Sequence, residues 1–134
     1  MTALLQPGIE GQASVVVTPD NTAIKAGSGS VPVFATPMLV ALMENAAMQA
    51  LNGKLAEGQS SVGTKVEINH TAPTPLGMTV TANAKLQNID GKKILFEVTA
   101  VDDKGQIAYG KHERVIIDVA SFMAKAEKKQ KREH

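Results

Sequence analysis

The stretch Phe34–Gly53, FATPMLVALMENAAMQALNG, reads as one long helix built almost wholly of apolar residues. Its start is punctuated. Thr36 is a good N-cap, and Pro37 suits the first helical position, where its missing N–H is not needed. Gly53 suits the C′ position just past the last turn. Apolar residues fall on most sides of the helical wheel, so this helix has to be covered widely rather than along one stripe. Glu44 interrupts it. The residues three and four positions away are Val40, Ala41, Ala47 and Met48, none of which can pair with a carboxylate. Two readings follow. Glu44 borders the polar stripe of Asn45, Gln49 and Asn52 and faces water, or it is a carboxylate in a low-dielectric pocket suited to general-base or nucleophilic work.

Outside the helix the period changes to two. GQASVVVTPDN (11–21) reads as a first strand closed by a Pro-Asp-Asn turn, and AIKAGSGSVPVF (23–34) as a loop. In SVGTKVEINH (61–70), alternation puts Val62, Thr64, Val66, Ile68 and His70 on one face and Gly63, Lys65, Glu67 and Asn69 on the other. After the loop TAPTPLG (71–77), MTVTANAKLQNI (78–89) and KKILFEVTAVD (92–102) alternate in the same way. Asp90-Gly91 reads as the hairpin turn between them. The last strand, QIAYGKHERVIIDV (106–119), loses its alternation near Gly110, where a bulge is expected. ASFMAKAEKKQKREH (120–134) reads as a short helix fraying into a basic tail from about residue 125. The expected architecture is a single α+β domain over residues 1–134: a strand, one long helix and a meander of four antiparallel strands. This is the hotdog arrangement, in which an antiparallel sheet wraps around one central helix.

The totals exclude several functions. A chain of 134 residues makes one domain with a real core. A net charge of +1 gives no field for nucleic acid. Without cysteine there is no disulfide, thiolate metal site or thiol nucleophile, and three histidines make a multi-histidine metal site unexpected. The opening MTALLQPGIEGQ lacks the pattern of a signal peptide, and no apolar stretch spans a bilayer. A cytoplasmic protein with no membrane partner is expected.

The candidate site residues each carry two readings. His70 closes the apolar face of its strand, as a core or turn histidine or as a catalytic base facing the Glu44 helix. Thr36 is explained as an N-cap, while a helix N-terminus also offers free N–H groups to an oxyanion, and the hydroxyl can act on a substrate. GQSSVGTK (58–65) fails as a phosphate loop: it has Thr-Lys in place of Lys-Thr and lies before a strand. Gly63 in it still allows close approach of a ligand to the backbone. HER (112–114) is a solvated edge, or Arg114 meets a phosphate.

VFATPMLVALMENAA (33–47), SVGTKVEINHTAPTPLGMTVT (61–81) and GKHERVIID (110–118) together resemble the fluoroacetyl-CoA thioesterase-like branch of the hotdog thioesterases, over most of the chain from about Val31. The resemblance implies an acyl-CoA hydrolase working as a homodimer, or a dimer of dimers, with sites at the subunit interface. It implies a catalytic set of Thr36, Glu44 and His70, with Gly63 and Arg114 near the substrate. CoA arrives as part of the substrate, and no cofactor or metal is implied. The segment KAGSGSVPVF (25–34) has only Phe34 where the specialised enzyme carries an aromatic lid, so Phe34 is the candidate for acyl contact. A short- or medium-chain acyl-CoA is the expected substrate. The rival readings are a non-catalytic acyl-CoA or small-ligand binding hotdog protein and a hotdog enoyl-CoA hydratase.

Overall fold

The structure is a computed structural model and describes residues 4–131. A five-stranded antiparallel sheet curls around one long helix. In chain order the elements are β1 (Glu10–Val16), α1 (Ala23–Ala26), α2 (Thr36–Leu51), β2 (Gln59–His70), β3 (Thr79–Asp90), β4 (Lys93–Asp102), β5 (Gly105–Asp118) and α3 (Val119–Lys131). The strands are ordered β1-β3-β4-β5-β2. The four-strand meander expected from the sequence is therefore only three strands long, β3 to β5. β2 pairs with β5 at the far edge. The cause is the Thr71–Gly77 loop. Its prolines cannot form a tight hairpin, and it is tied across the end of the sheet by Phe34 N–H donating to Thr74 O and by a bridge between Val33 and Pro75.

α2 covers itself against the sheet through Leu39, Leu42, Met43, Ala46, Ala47, Ala50 and Leu51, all buried. These meet Val80, Ala82, Ala84 and Leu86 of β3 and Ile94, Phe96, Val98 and Ala100 of β4, the inward residues that alternation predicts. Each large side chain in this core contributes about 1.5–3 kcal/mol of burial. β1 presses directly on the helix at Gly11, where an added Cβ would fall 2.2 Å from Ala50 N. Only a residue without a side chain fits there. The helix lies mainly against β1 and β3, leaving the inner face of β2 half-covered.

Several local expectations shift. The segment expected as a loop includes α1, a single turn that the Thr22 side chain caps and Gly27 ends in the left-handed conformation. The first hairpin turn is Gly91-Lys92, flanked by the Asp90–Lys93 pair, one residue later than the Asp-Gly pattern suggested. The irregularity in β5 is not at Gly110. It is at Ile107, which stands between the Ala100–Ala108 and Val101–Gln106 pairs, so Ile107 and Ala108 are both buried. Gly110 instead lies close under Glu67 of β2, leaving no room for a Cβ. The expected tail is helical to Lys131; residues 132–134 lie outside the described residues. No helix among the described residues is long and apolar enough to cross a membrane.

One shift matters for function. Gly63 pairs with Arg114 and Lys65 with Glu113, so Thr64 is an extra residue in β2. Its hydroxyl bonds outward to Glu113 Oε2 at 2.9 Å. The bulge resets the alternation. Val62 and Thr64 do not share the face of Val66, Ile68 and His70; Ser61 and Gly63 turn inward instead.

Candidate active site

Thr36 is not the N-cap. Ala35 holds that position, and no side chain caps α2. With Thr36 inside the first turn its hydroxyl is free, and it lies 2.7 Å from His70 Nδ1. His70 ends β2 opposite Ala108 of β5, on the inward phase set by the Thr64 bulge. The pair lines a cavity of about 280 Å³ together with Val33, Phe34, Ala72 and Pro73. His70 Nε2 is enclosed and has no hydrogen-bond partner among the described residues. Burial lowers the His70 pKa from 6.5, against an upward pull from the Ala72 backbone, so the imidazole is neutral at pH 7. Phe34 walls this cavity from within the core. Its side chain is buried, so it does not cover the opening as a lid would.

Glu44 sits in a second cluster, about two helix turns beyond Thr36. Its side chain is 41% exposed, and the partner its own helix lacks comes from β5: Arg114 Nη1 lies 4.0 Å from Glu44 Oε2. Neither reading of Glu44 was complete, because the carboxylate is half-open yet paired. The HER segment is not a solvated edge. His112 and Arg114, two residues apart on one strand, both point inward and are buried. The guanidinium is fully engaged. Nε donates to Ser61 Oγ at 2.7 Å, Nη2 donates to Ser61 O at 3.0 Å and to Met48 Sδ at 3.2 Å, and Nη1 donates to His112 Nε2 at 3.0 Å. The second Nη1 hydrogen is left for Glu44. Arg114 is thus turned into the fold, with its guanidinium against Ser61, Met48, His112 and Glu44. Burial lowers its pKa while Glu44 raises it.

Gly63 belongs to the same cluster. A Cβ built there would fall 2.6 Å from Glu44 Oε2 and 3.1 Å from His112 Cε1. Its lack of a side chain makes room for the carboxylate. His112 and Ser61 escaped sequence reasoning. The signal for His112 was its two-residue spacing from Arg114; Ser61 gave none until the bulge set its direction.

A five-stranded antiparallel sheet curled around one long helix, with a threonine–imidazole pair at the start of that helix, is the hotdog fold. The chain belongs to the fluoroacetyl-CoA-specific thioesterase family, whose model matches residues 17–120. It is 41% identical over 97 residues to the fluoroacetyl-CoA thioesterase of Streptantibioticus cattleyicolor, covering 72% of this chain and 70% of that protein. Among solved structures, the fluoroacetyl-CoA thioesterase FlK superposes with a TM-score of 0.87 at 34% identity, covering 96% of this chain and 98% of its own. A thioesterase superfamily member from Thermus thermophilus superposes with a TM-score of 0.87 at 30% identity, covering 93% of each chain.

Proposed function

We propose that this protein hydrolyses short- or medium-chain acyl-CoA thioesters to the free acid and CoA, at sites shared between two copies of the chain. The observation that carries the reading is the 2.7 Å contact between Thr36 and His70 at a helix N-terminus that no side chain caps. In hydrolysis water adds to the thioester carbonyl carbon, the C–S bond breaks, and CoA leaves as a thiolate that takes up a proton. His70 accepts a proton through Nδ1, from the Thr36 hydroxyl or from a water that this hydroxyl holds, and returns it to the departing sulfur. The free N–H groups and dipole of the α2 N-terminus stabilise the oxyanion. Glu44 is the general base or nucleophile. As base it takes the proton of the attacking water in place of His70. As nucleophile it attacks the carbonyl carbon while the C–S bond breaks, and the water activated by His70 then hydrolyses the anhydride to the acid and the free carboxylate. The acid and base come from the chain itself, and CoA enters as substrate.

Two copies are needed because Thr36 and Glu44 are eight residues apart on one helix, about 12 Å along its axis and about 80° around it. Within one chain Glu44 meets Arg114, not His70. The α2 face bearing Glu44 also carries exposed Met38, Ala41, Asn45 and Met48, and β2 is a 12-residue edge strand with one side unpaired. Long edges of this kind are normally covered. A two-fold axis running α2 against a second α2 brings Thr36 and His70 of one copy toward Glu44 of the other. The segment Gly27–Val33 beside the cavity has no aromatic residue, and Phe34 is turned into the core, which supports an acyl range wider than fluoroacetyl alone.

The test is thiol release from acetyl-, short-chain and long-chain acyl-CoA. Turnover of the short and medium chains is expected. Binding without thiol release identifies a binding module, and hydration of enoyl-CoA without thiol release identifies a hydratase. Sedimentation that finds only monomer removes the shared site.

A further inference from the structure

The Arg114 cluster holds a buried titratable group that the mechanism above leaves without a task. His112 lies on β5 with its side chain closed off from solvent, stacked on Phe96 at 6.5 Å between ring centroids and 28° between planes. Its two nitrogens meet different kinds of group. Nδ1 lies 2.9 Å from the Lys65 carbonyl oxygen, which can only accept, so Nδ1 carries the hydrogen. Nε2 lies 3.0 Å from Arg114 Nη1, which can only donate, so Nε2 is the unprotonated acceptor. The partners thus fix both the tautomer and the neutral state of the ring. Of the two Nη1 hydrogens, His112 takes one, and the other is the only guanidinium hydrogen left for Glu44 Oε2. Ser61 and Met48 hold the Nε and Nη2 side of the guanidinium, and His112 is the hydrogen-bond partner of the Nη1 side that faces Glu44.

We propose that His112 is a positioning residue for catalysis: it anchors on the Lys65 carbonyl and accepts from Arg114, so that Arg114 holds the Glu44 carboxylate in the place that Gly63 leaves open. This rests on the reading of Glu44 as a catalytic group. Lys65 is the residue that follows the Thr64 bulge, so the bulge that turns His70 inward also supplies the carbonyl that orients His112. One irregularity in β2 serves both halves of the site.

Two substitutions separate the two bonds of the ring. In His112→Asn the amide reaches the Lys65 carbonyl but places nothing at Nε2. In His112→Gln the side-chain oxygen reaches the Nε2 position and accepts from Arg114. Steady-state thiol release by proteins with wild-type melting profiles is the measurement. His112→Asn should lower kcat about 10- to 100-fold, the scale of a misplacement near 1 Å, with little change in KM. His112→Gln should recover most of that loss. In a Glu44→Gln background His112→Asn should cause no further loss, since both changes act through one carboxylate. Equal kcat for the Asn and Gln variants overturns the proposal, as does an undiminished effect of His112→Asn when Glu44 is already Gln. A Glu44→Gln single variant with wild-type kcat overturns instead the catalytic reading of Glu44, and the two failures are told apart by that one control.

Discussion

The N-terminal end of α2 and its middle are built to opposite rules. At the N-terminal end, Thr36 and His70 share a hydrogen bond at the mouth of a cavity, and among the described residues the helix has no side-chain cap and His70 Nε2 no partner. In the middle, Arg114 donates to Ser61, His112 and Met48 and forms an ion pair with Glu44 at 4.0 Å. Buried polar atoms are normally satisfied, so an unpartnered nitrogen on the ring that bonds the Thr36 hydroxyl leaves room for a further hydrogen-bonding group. A fully satisfied network marks a place where something is to be held still. In the proposed mechanism the first region transfers protons and the second holds a carboxylate in place.

The largest effect expected from breaking this comparison is on turnover. His70→Ala and Glu44→Gln should each lower kcat by about 10²- to 10⁴-fold, as loss of a reacting acid or base does, while thermal melting stays near wild type. Mixing the two variants supplies a sharper version. If the site is shared across a two-fold, each heterodimer regains one intact site of its two, so a 1:1 mixture returns toward about a quarter of wild-type activity; no recovery at all would falsify the shared arrangement.

Gly63→Ala comes next. The new methyl overlaps Glu44 Oε2, the far end of a flexible side chain, which can swing away. The buried His112 ring, 3.1 Å from the new methyl, must also give a little, so a small loss of stability is expected, while kcat should fall on the order of 10- to 100-fold through displacement of the carboxylate. Chemical unfolding and kinetics on the same preparation separate the two.

A smaller effect is expected with pH. Burial holds both His70 and His112 below the ordinary value of 6.5, with Arg114 pushing His112 the same way. The folded state thus resists protons that the unfolded state takes up. This contribution to stability is complete above pH 6.5 and is lost as pH falls through 6.5 toward the folded values. Urea midpoints measured downward from neutral pH should decline from that point, and the acid limb of kcat should lie below the usual imidazole range. The smallest effect concerns Thr36. Because it caps nothing, Thr36→Ala should spare the stability, about 1 kcal/mol, that loss of an N-cap normally costs. Equilibrium unfolding checks this independently of the activity lost.

Most of the architecture is legible without coordinates. The α2 boundaries follow from Pro37 and Gly53, and the inward sets of β3 and β4 follow from strict alternation, because both depend on periods that a local stretch repeats several times. Glu44 is also visible as a charge that its own helix cannot neutralise. Two of the misplacements, the facing of the first half of β2 and the irregularity in β5, each come from one inserted residue. An extra residue at Thr64 or Ile107 leaves no mark on composition, yet it flips every side chain beyond it to the other face.

By itself, then, the chain determined its helix, its alternating strands and the suspicion attached to Glu44, Thr36 and His70, since each depends on neighbours within a few positions. Only the tertiary structure decided that β2 crosses to the edge beside β5, that Thr36 is free rather than capping, and that the partner of Glu44 is an arginine seventy residues away held by His112. Those outcomes depend on strand register and on contacts between segments distant in sequence, and no local pattern of residues encodes either.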